Sequence, residues 1–558
     1  MKIFLKSFIL VPFFLLLIAI TTGCVIPGIT TPDIISPSTS KASIISFGIN
    51  SFEEGKIELK WEVDGDYDEI LLSRKEIDES YMVLERFEDT SQSIYSDVNL
   101  DNKKIYIYKL EIKLNGVIQD IKKYSLFSSP INSNGAIVIY NIALNDPDNH
   151  QFEVEMWVNT KGTGSLSLKT ESYLNAENTL KIINWDSEVY NGAFLSGNPD
   201  IGINISAEGI SLIRYKAELP PISSTDIHGI LGLFTDRFFI AAGTQHLLTI
   251  DESDKEKISK IYKIYNTNPY WNVLSPEYSQ EDKVFIIDFS DIDGNYLAYQ
   301  EDTVLSYPEG TFYTENDDIY GTEFTIALDK SISGYSGYTD KMFKIFENIC
   351  SIFGEGVGER YCTFVVYYNS EVYSSENTYS QGFSQGFGIV DEMYAHQIFH
   401  RWNGWEPYRT IMITPPPWHR GFYSEGWNNY FIDWNLNQVK PGFSWDYLKK
   451  FYNTYKSEYY GTIKDIPVAN EGGDTFIYYR KGACVAYILN KEIENQMGGE
   501  VSLVEVQREI WERYGHEMGT FDYNDIIDII NELTNSDFNQ FFNDYVFGKE
   551  KIVISEFE

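Results

Sequence analysis

His396 and His400 stand one helical turn apart in the stretch from Asp391 to Glu425, which reads DEMYAHQIFHRWNGWEPYRTIMITPPPWHRGFYSE. The run from Met393 to Trp402 has helical composition without Pro or Gly, and residues four apart on a helix project from one face. Two imidazoles so placed can reach one metal ion, with Glu425 arriving from the next predicted helix as a third ligand. Asn429, one turn beyond Glu425, is placed to orient a histidine ring. The seven histidines of the chain would give about 0.1 His-x-x-x-His pairs by chance, so the pair is informative without being decisive. Gln397, next to the first histidine, can hold a water molecule but cannot take its proton.

Periodicity supplies the elements that must position these groups. After about residue 320 the pattern predicts a strand (EFTIALD), a helix from Asp340 to Phe353 with an apolar face of Met342, Ile345, Phe346, Ile349 and Phe353, and a strand from Cys362 to Tyr368. The histidine helix comes next. Further helices are predicted from Ser424 to Asn435, Trp445 to Ser457, Ile477 to Gln496, Ser502 to Tyr514, Tyr523 to Leu533 and Ser536 to Val546. A small sheet followed by a mostly helical lobe, with the histidine helix between them, is the expected arrangement.

Upstream the period is two. Residues 44 to about 128 alternate in short strands separated by Asp, Asn, Gly and Ser turns, which predicts a β-sandwich. Its Trp61 and its Tyr106 or Tyr108 resemble the core Trp and Tyr of a fibronectin type III domain, and they read as core in a spacer or adhesive module. From Ala136 a β-rich middle domain follows through HQFEVEMWVNT, Phe238-Phe239-Ile240 and KVFIIDF, with a short helical piece predicted near Lys255 to Tyr265. His150 beside a turn and His419 in a Pro-rich loop read as surface residues.

The 82 acidic against 44 basic side chains give a formal net charge of -38, which argues against a nucleic-acid partner, since phosphate binding needs a basic face. At the N-terminus Lys2 and Lys6 precede an apolar run from Phe8 to Ile20, too short to span a bilayer. Thr21-Thr22-Gly23-Cys24 resembles a lipoprotein processing site, with Cys24 the lipid attachment point and the following Pro, Ser and Thr-rich residues a tether. The expected product is exported and anchored by lipid to the cell-surface membrane. Of the other cysteines, Cys350 and Cys362 could be bridged or remain buried thiols, as could Cys484.

Several segments together resemble the glycyl aminopeptidase family of zinc metallopeptidases. They are Phe422-Tyr423-Ser424-Glu425-Gly426-Trp427, Trp402-Asn403 after the second histidine, Tyr479-Arg480-Lys481-Gly482, the β segment from Tyr140 to Leu168, and the C-terminal runs YYRKGACVAYILNKEI, VQREIWERYG and DFNQFFNDYVFGKEKI. The resemblance implies a thermolysin-like α+β catalytic domain, Zn2+ on His396, His400 and Glu425, and a Tyr479 phenol that hydrogen-bonds the oxyanion of a peptide under attack. Tyr478 is the packed neighbour. Residues 1–23 would be a signal peptide, 24–43 the lipidated tether, 44–130 the fibronectin-like domain, 135–315 the middle domain and 316–550 the catalytic domain.

Two departures bear on function. Gln397 stands where the zinc-peptidase motif His-Glu-x-x-His carries its general-base glutamate, and Glu392 lies on the wrong side of the helix to replace it. The family stretch whose glutamate anchors a substrate's amino terminus lacks its paired glycines here, leaving Glu371 or Glu376 for that role. The expectation is a metallopeptidase homologue of weak or absent activity. The alternative is a non-catalytic lipoprotein that holds peptides or proteins in its cleft.

Overall fold

The computed structural model describes residues 41–558 apart from short stretches, the longest being 171–179, 220–231, 289–302, 384–393, 404–411, 414–420 and 470–476, and apart from Gln397. The signal segment, Cys24, Glu392, Gln397 and His419 therefore lie outside the described residues, as do the side chains of Glu371 and Glu376.

Seven strands between Ser43 and Phe127 form two antiparallel sheets. Ser43–Glu53, Lys56–Asp64 and Ile94–Val98 make one, while Met82–Phe87, Glu69–Glu76, Ile105–Leu114 and Val117–Phe127 make the other. Trp61 and Tyr108 are buried between them. Their polar tips are satisfied, the Trp61 indole donating to the Gln92 carbonyl (2.9 Å) and the Tyr108 phenol to Asp97 (2.8 Å).

This sandwich is no spacer. Its core is continuous with the outer face of the next sheet, where Ile137, Ile139, Trp157, Ile210, Leu212, Tyr262 and Ile264 join Trp61, Tyr108 and Tyr124 in one buried cluster. Polar groups seal the seam. Asn141 binds both backbone groups of Ser125 (2.9 Å each), the Lys123 N–H donates to Asn266 (3.0 Å), and the Trp157 indole donates to the Tyr124 phenol (3.2 Å). The sequence showed only that these strands were apolar, and alternation cannot say which partner covers a face.

The middle domain is built on a seven-stranded sheet with Ala136–Asp146 and Ile258–Asn266 at its centre, paired in parallel. The latter strand replaces the helix expected near Lys255 to Tyr265. Lys260 and Lys263, three apart, imitate an amphipathic helix, but the Ile and Tyr residues between them are β-formers and the strand is covered on both faces. Two four-stranded sheets complete the domain.

In the last domain β1 (Phe312–Ile319), β2 (Thr322–Asp329), β3 (Arg360–Tyr368), β4 (Glu371–Glu376) and β5 (Tyr379–Phe383) form a sheet in that order. The parallel pair β2 and β3 is connected through α1 (Tyr338–Phe353), which buries the five apolar residues read from the sequence. A helical lobe follows: α2 (Asn428–Val439), α3 (Asp446–Thr454), α4 (Ile477–Met497), α5 (Leu503–Tyr514) and α6 (Tyr523–Thr534). Ser502 with Glu505 and Asp522 with Asp525 form capping boxes that fix where α5 and α6 begin. Cys350, Cys362 and Cys484 are free, buried thiols. Cys350 and Cys362 belong to separate cores, Cys362 packing with Phe238 and Phe312 at the seam with the middle domain. Burial pushes the Cys362 thiol up to about 12. Among the described residues no helix is long and apolar enough to cross a membrane.

Candidate metal centre

His396 closes the helical residues 394–396 and His400 stands in the turn just after the helical residues 398–399, with its N–H directed at the His396 carbonyl (3.4 Å). Their Nε2 atoms are 3.0 Å apart and their rings nearly perpendicular. Glu425 comes from a π-helical turn, Phe422–Trp427, that runs into α2. Such turns shift a side chain relative to α-helical register and are frequent at functional sites. Its Oε2 lies 3.2 Å from the His396 Nε2 and 3.6 Å from the His400 Nε2. His396 and Glu425 are 7% and 2% exposed, so the cluster is withdrawn from bulk water.

The remaining ring nitrogens fix the tautomers. Asn429 donates through Nδ2 to the Tyr479 carbonyl (3.1 Å), which turns its Oδ1 to the His396 Nδ1 (3.0 Å). His400 Nδ1 faces the Asn403 carbonyl (3.1 Å), which can only accept. Both rings thus carry their hydrogen on Nδ1, and two Nε2 lone pairs converge with a carboxylate. Burial of Glu425 opposes its ionisation, and only a proton added to His400 or His396 at Nε2, or a metal ion in that proton's place, holds its carboxyl well below the usual carboxylate range. Burial, then the neighbouring His400, lowers His396. A positive charge is required among these three groups, and a metal ion satisfies all of them together. Ligands about 2.0–2.1 Å from a tetrahedral zinc lie roughly 3.3 Å from one another, and the separations of 3.0, 3.2 and 3.6 Å straddle that value. The donor set of two imidazoles and one carboxylate therefore fits Zn2+.

Every residue of the Tyr479-Arg480-Lys481-Gly482 element has a distinct role in placing α4. The Tyr479 ring lies 6.3 Å, centre to centre, from the His396 ring. Arg480 donates to Glu458 (2.8 Å) and to the Tyr459 phenol (3.0 Å). Lys481, fully buried, pairs with Asp465 (2.7 Å) and donates to the Ile466 carbonyl (3.0 Å). Gly482 meets Gly426 so closely that a Cβ on Gly426 would stand 2.7 Å from the Gly482 Cα. Only this glycine pair lets α4 approach the turn that carries Glu425. Tyr478 packs over Gly421 and against Tyr479.

His150 lies in the middle domain, half-buried in a left-handed turn with its ring against the Phe234 carbonyl, and takes no part in the centre. Asn403 and Asn428, which sequence reasoning did not single out for a role, line the ligand turns. Their signal was weak. Consecutive Asn residues at 428 and 429 are poor helix formers where the π-helical turn runs into α2.

No family model and no curated protein matches the chain. Among solved structures it is similar to an aminopeptidase N family protein from Idiomarina loihiensis, with a TM-score of 0.57 and 19% identity over 75% of this chain and 77% of that one. Its fold is that of the aminopeptidase N family. The β-rich N-terminal part and helical C-terminal part follow that architecture. Weaker likenesses include an M1 zinc metallopeptidase from Deinococcus radiodurans, with a TM-score of 0.43 and 10% identity over 75% of this chain and 96% of that one. Another is the E323A mutant of an M1 zinc metallopeptidase bound to a Tyr-Ser-Ala substrate, with a TM-score of 0.45 and 9% identity over the same shares.

Proposed function

We propose that the protein is a zinc-binding metallopeptidase homologue related to the glycyl aminopeptidases, exported and lipid-anchored through Cys24 at the cell surface, with a fibronectin type III-like domain at its N-terminus. The observation that carries this reading is the convergence of His396, His400 and Glu425 with ring tautomers that leave their lone pairs facing inward. Zinc held there would polarise a peptide carbonyl and lower the pKa of a bound water to about 7. The chain's own residues do the rest. Asn429 and the Asn403 carbonyl hold the two rings, and Tyr479 is the phenol available to donate to developing negative charge without ionising. A glutamine at position 397 can hydrogen-bond a water or a peptide amide but accepts no proton, and a positioned general base is worth about 10²–10⁴ in rate. Peptide hydrolysis is accordingly slow or absent.

The same glutamine favours a second reading, in which the cleft retains peptides or a partner protein without cutting them. Metal analysis and an aminopeptidase assay of wild type and Gln397→Glu separate the two. Zinc in both forms, with turnover appearing or rising at least 100-fold only in the variant, supports an intact site lacking its base. Wild-type turnover unaffected by Gln397→Glu and abolished by His396→Ala would show that another group serves as base. Lack of zinc in both forms would end the metal assignment.

A further inference from the structure

We infer that Asn403 and Asn428 are positioning residues of the metal centre, closing a ring of hydrogen bonds around its three ligands; this rests on the reading of the centre as metal-binding. Asn428 follows the turn that carries Glu425 and donates through Nδ2 to the backbone carbonyl of His396 (3.0 Å). Asn403 accepts the His400 ring on its own carbonyl (3.1 Å) and donates through Nδ2 to the carbonyl of Tyr423 (3.1 Å), two residues before Glu425. The circuit runs from His400 through Asn403 to the Glu425 turn, and from that turn through Asn428 back to His396. It ties the helix of the two histidines to the turn of the third ligand on both sides.

The two carboxamides are costly to keep. Both are 0% exposed, and the Oδ1 of each has no hydrogen-bond partner among the described residues. A buried acceptor left in that state costs about 1–3 kcal/mol, whereas an apolar side chain of the same shape costs nothing of the kind. Leucine at either position removes that cost but takes the carboxamide donor from the carbonyl of His396 or Tyr423, so the two effects on stability roughly offset. What leucine cannot do is hold two backbone carbonyls at fixed places beside ligand atoms, and a metal centre tolerates only about 0.5 Å of play in its supporting groups.

Stability and metal binding should therefore separate. Wild type, Asn403→Leu, Asn428→Leu and the smaller Asn403→Ala and Asn428→Ala would be compared as full-length protein. The measurements are metal-free Tm, zinc affinity by chelator competition, and the visible absorption of the Co2+-loaded form, which reports ligand geometry. The inference expects zinc binding weakened by about 10-fold or more and a changed Co2+ spectrum, with Tm of the leucine variants held close to that of wild type. Where a leucine variant fails to fold, the alanine variant gives the same comparison without added bulk. Affinity and spectrum unchanged within about twofold in the folded variants, whatever happens to Tm, would overturn it. Absence of metal binding by wild type would instead overturn the metal reading and the inference with it.

Discussion

At the scale of single residues the centre depends on atoms that are not ligands. The Nδ1 hydrogen of His396 is held by Asn429, whose amide orientation is set by the Tyr479 carbonyl, so one carboxamide connects a ligand to the helix of the candidate oxyanion donor. Partners of this kind typically change metal affinity 10- to 100-fold. Asn429→Ala is expected to weaken zinc binding by about that factor, measured by chelator competition, while far-ultraviolet circular dichroism stays that of wild type. Unchanged affinity would mean that the ring is held by the helix alone.

At the scale of elements, α4 is pinned by the buried pair of Lys481 and Asp465. Burial lowers the Lys481 pKa and Asp465 opposes that shift. Removing one partner of a buried pair leaves an uncompensated charge, so Lys481→Met is expected to cost about 3–5 kcal/mol in denaturant unfolding, most of it recovered when Asp465→Leu is added. If the single change costs less than about 1 kcal/mol, the pair does not anchor α4. The start of α3 depends on another buried acid. Asp433 on α2 accepts from the Leu448 N–H, yet burial pushes its carboxyl up to about 7. Its unfolded value is about 3.9, so between these values the native state holds more proton than the unfolded chain. The sign of this contribution is a loss of stability as pH rises from about 4 to about 7, with no further change above. Asp433→Asn should flatten that slope in unfolding midpoints measured across the range, and an unaltered slope would count against it.

At the scale of the whole molecule three units share buried cores. Phe238, Leu305 and Tyr307 of the middle domain pack with Phe312, Cys362 and Phe364 of the last, and the N-terminal sandwich caps the middle sheet. A chain beginning at residue 135 would uncover Ile137, Ile139, Trp157, Ile210, Leu212, Tyr262 and Ile264, each worth about 1.5–3 kcal/mol of burial. It is expected to aggregate on size-exclusion chromatography where the longer chain elutes as a discrete species. A monodisperse, fully folded product would restore the spacer reading.

The sequence by itself determined the local features. Helix faces such as Met342, Ile345 and Ile349, and the His396 and His400 pair, are legible because periodicity and four-residue spacing translate directly into shared faces, whereas the aminopeptidase-like segments are legible only as a resemblance. Tertiary structure decided what those features meet. Ile258–Asn266 is a strand because two neighbours pair with its edges and separate cores bury its two faces, Cys350 and Cys362 stay apart because they point into different cores, and the sandwich is a brace because an apolar sheet found its outer side. The convergence of the Glu425 turn with the histidine helix, and the Gly426 and Gly482 contact that admits Tyr479, join residues far apart in the chain through backbone proximity that no local pattern encodes.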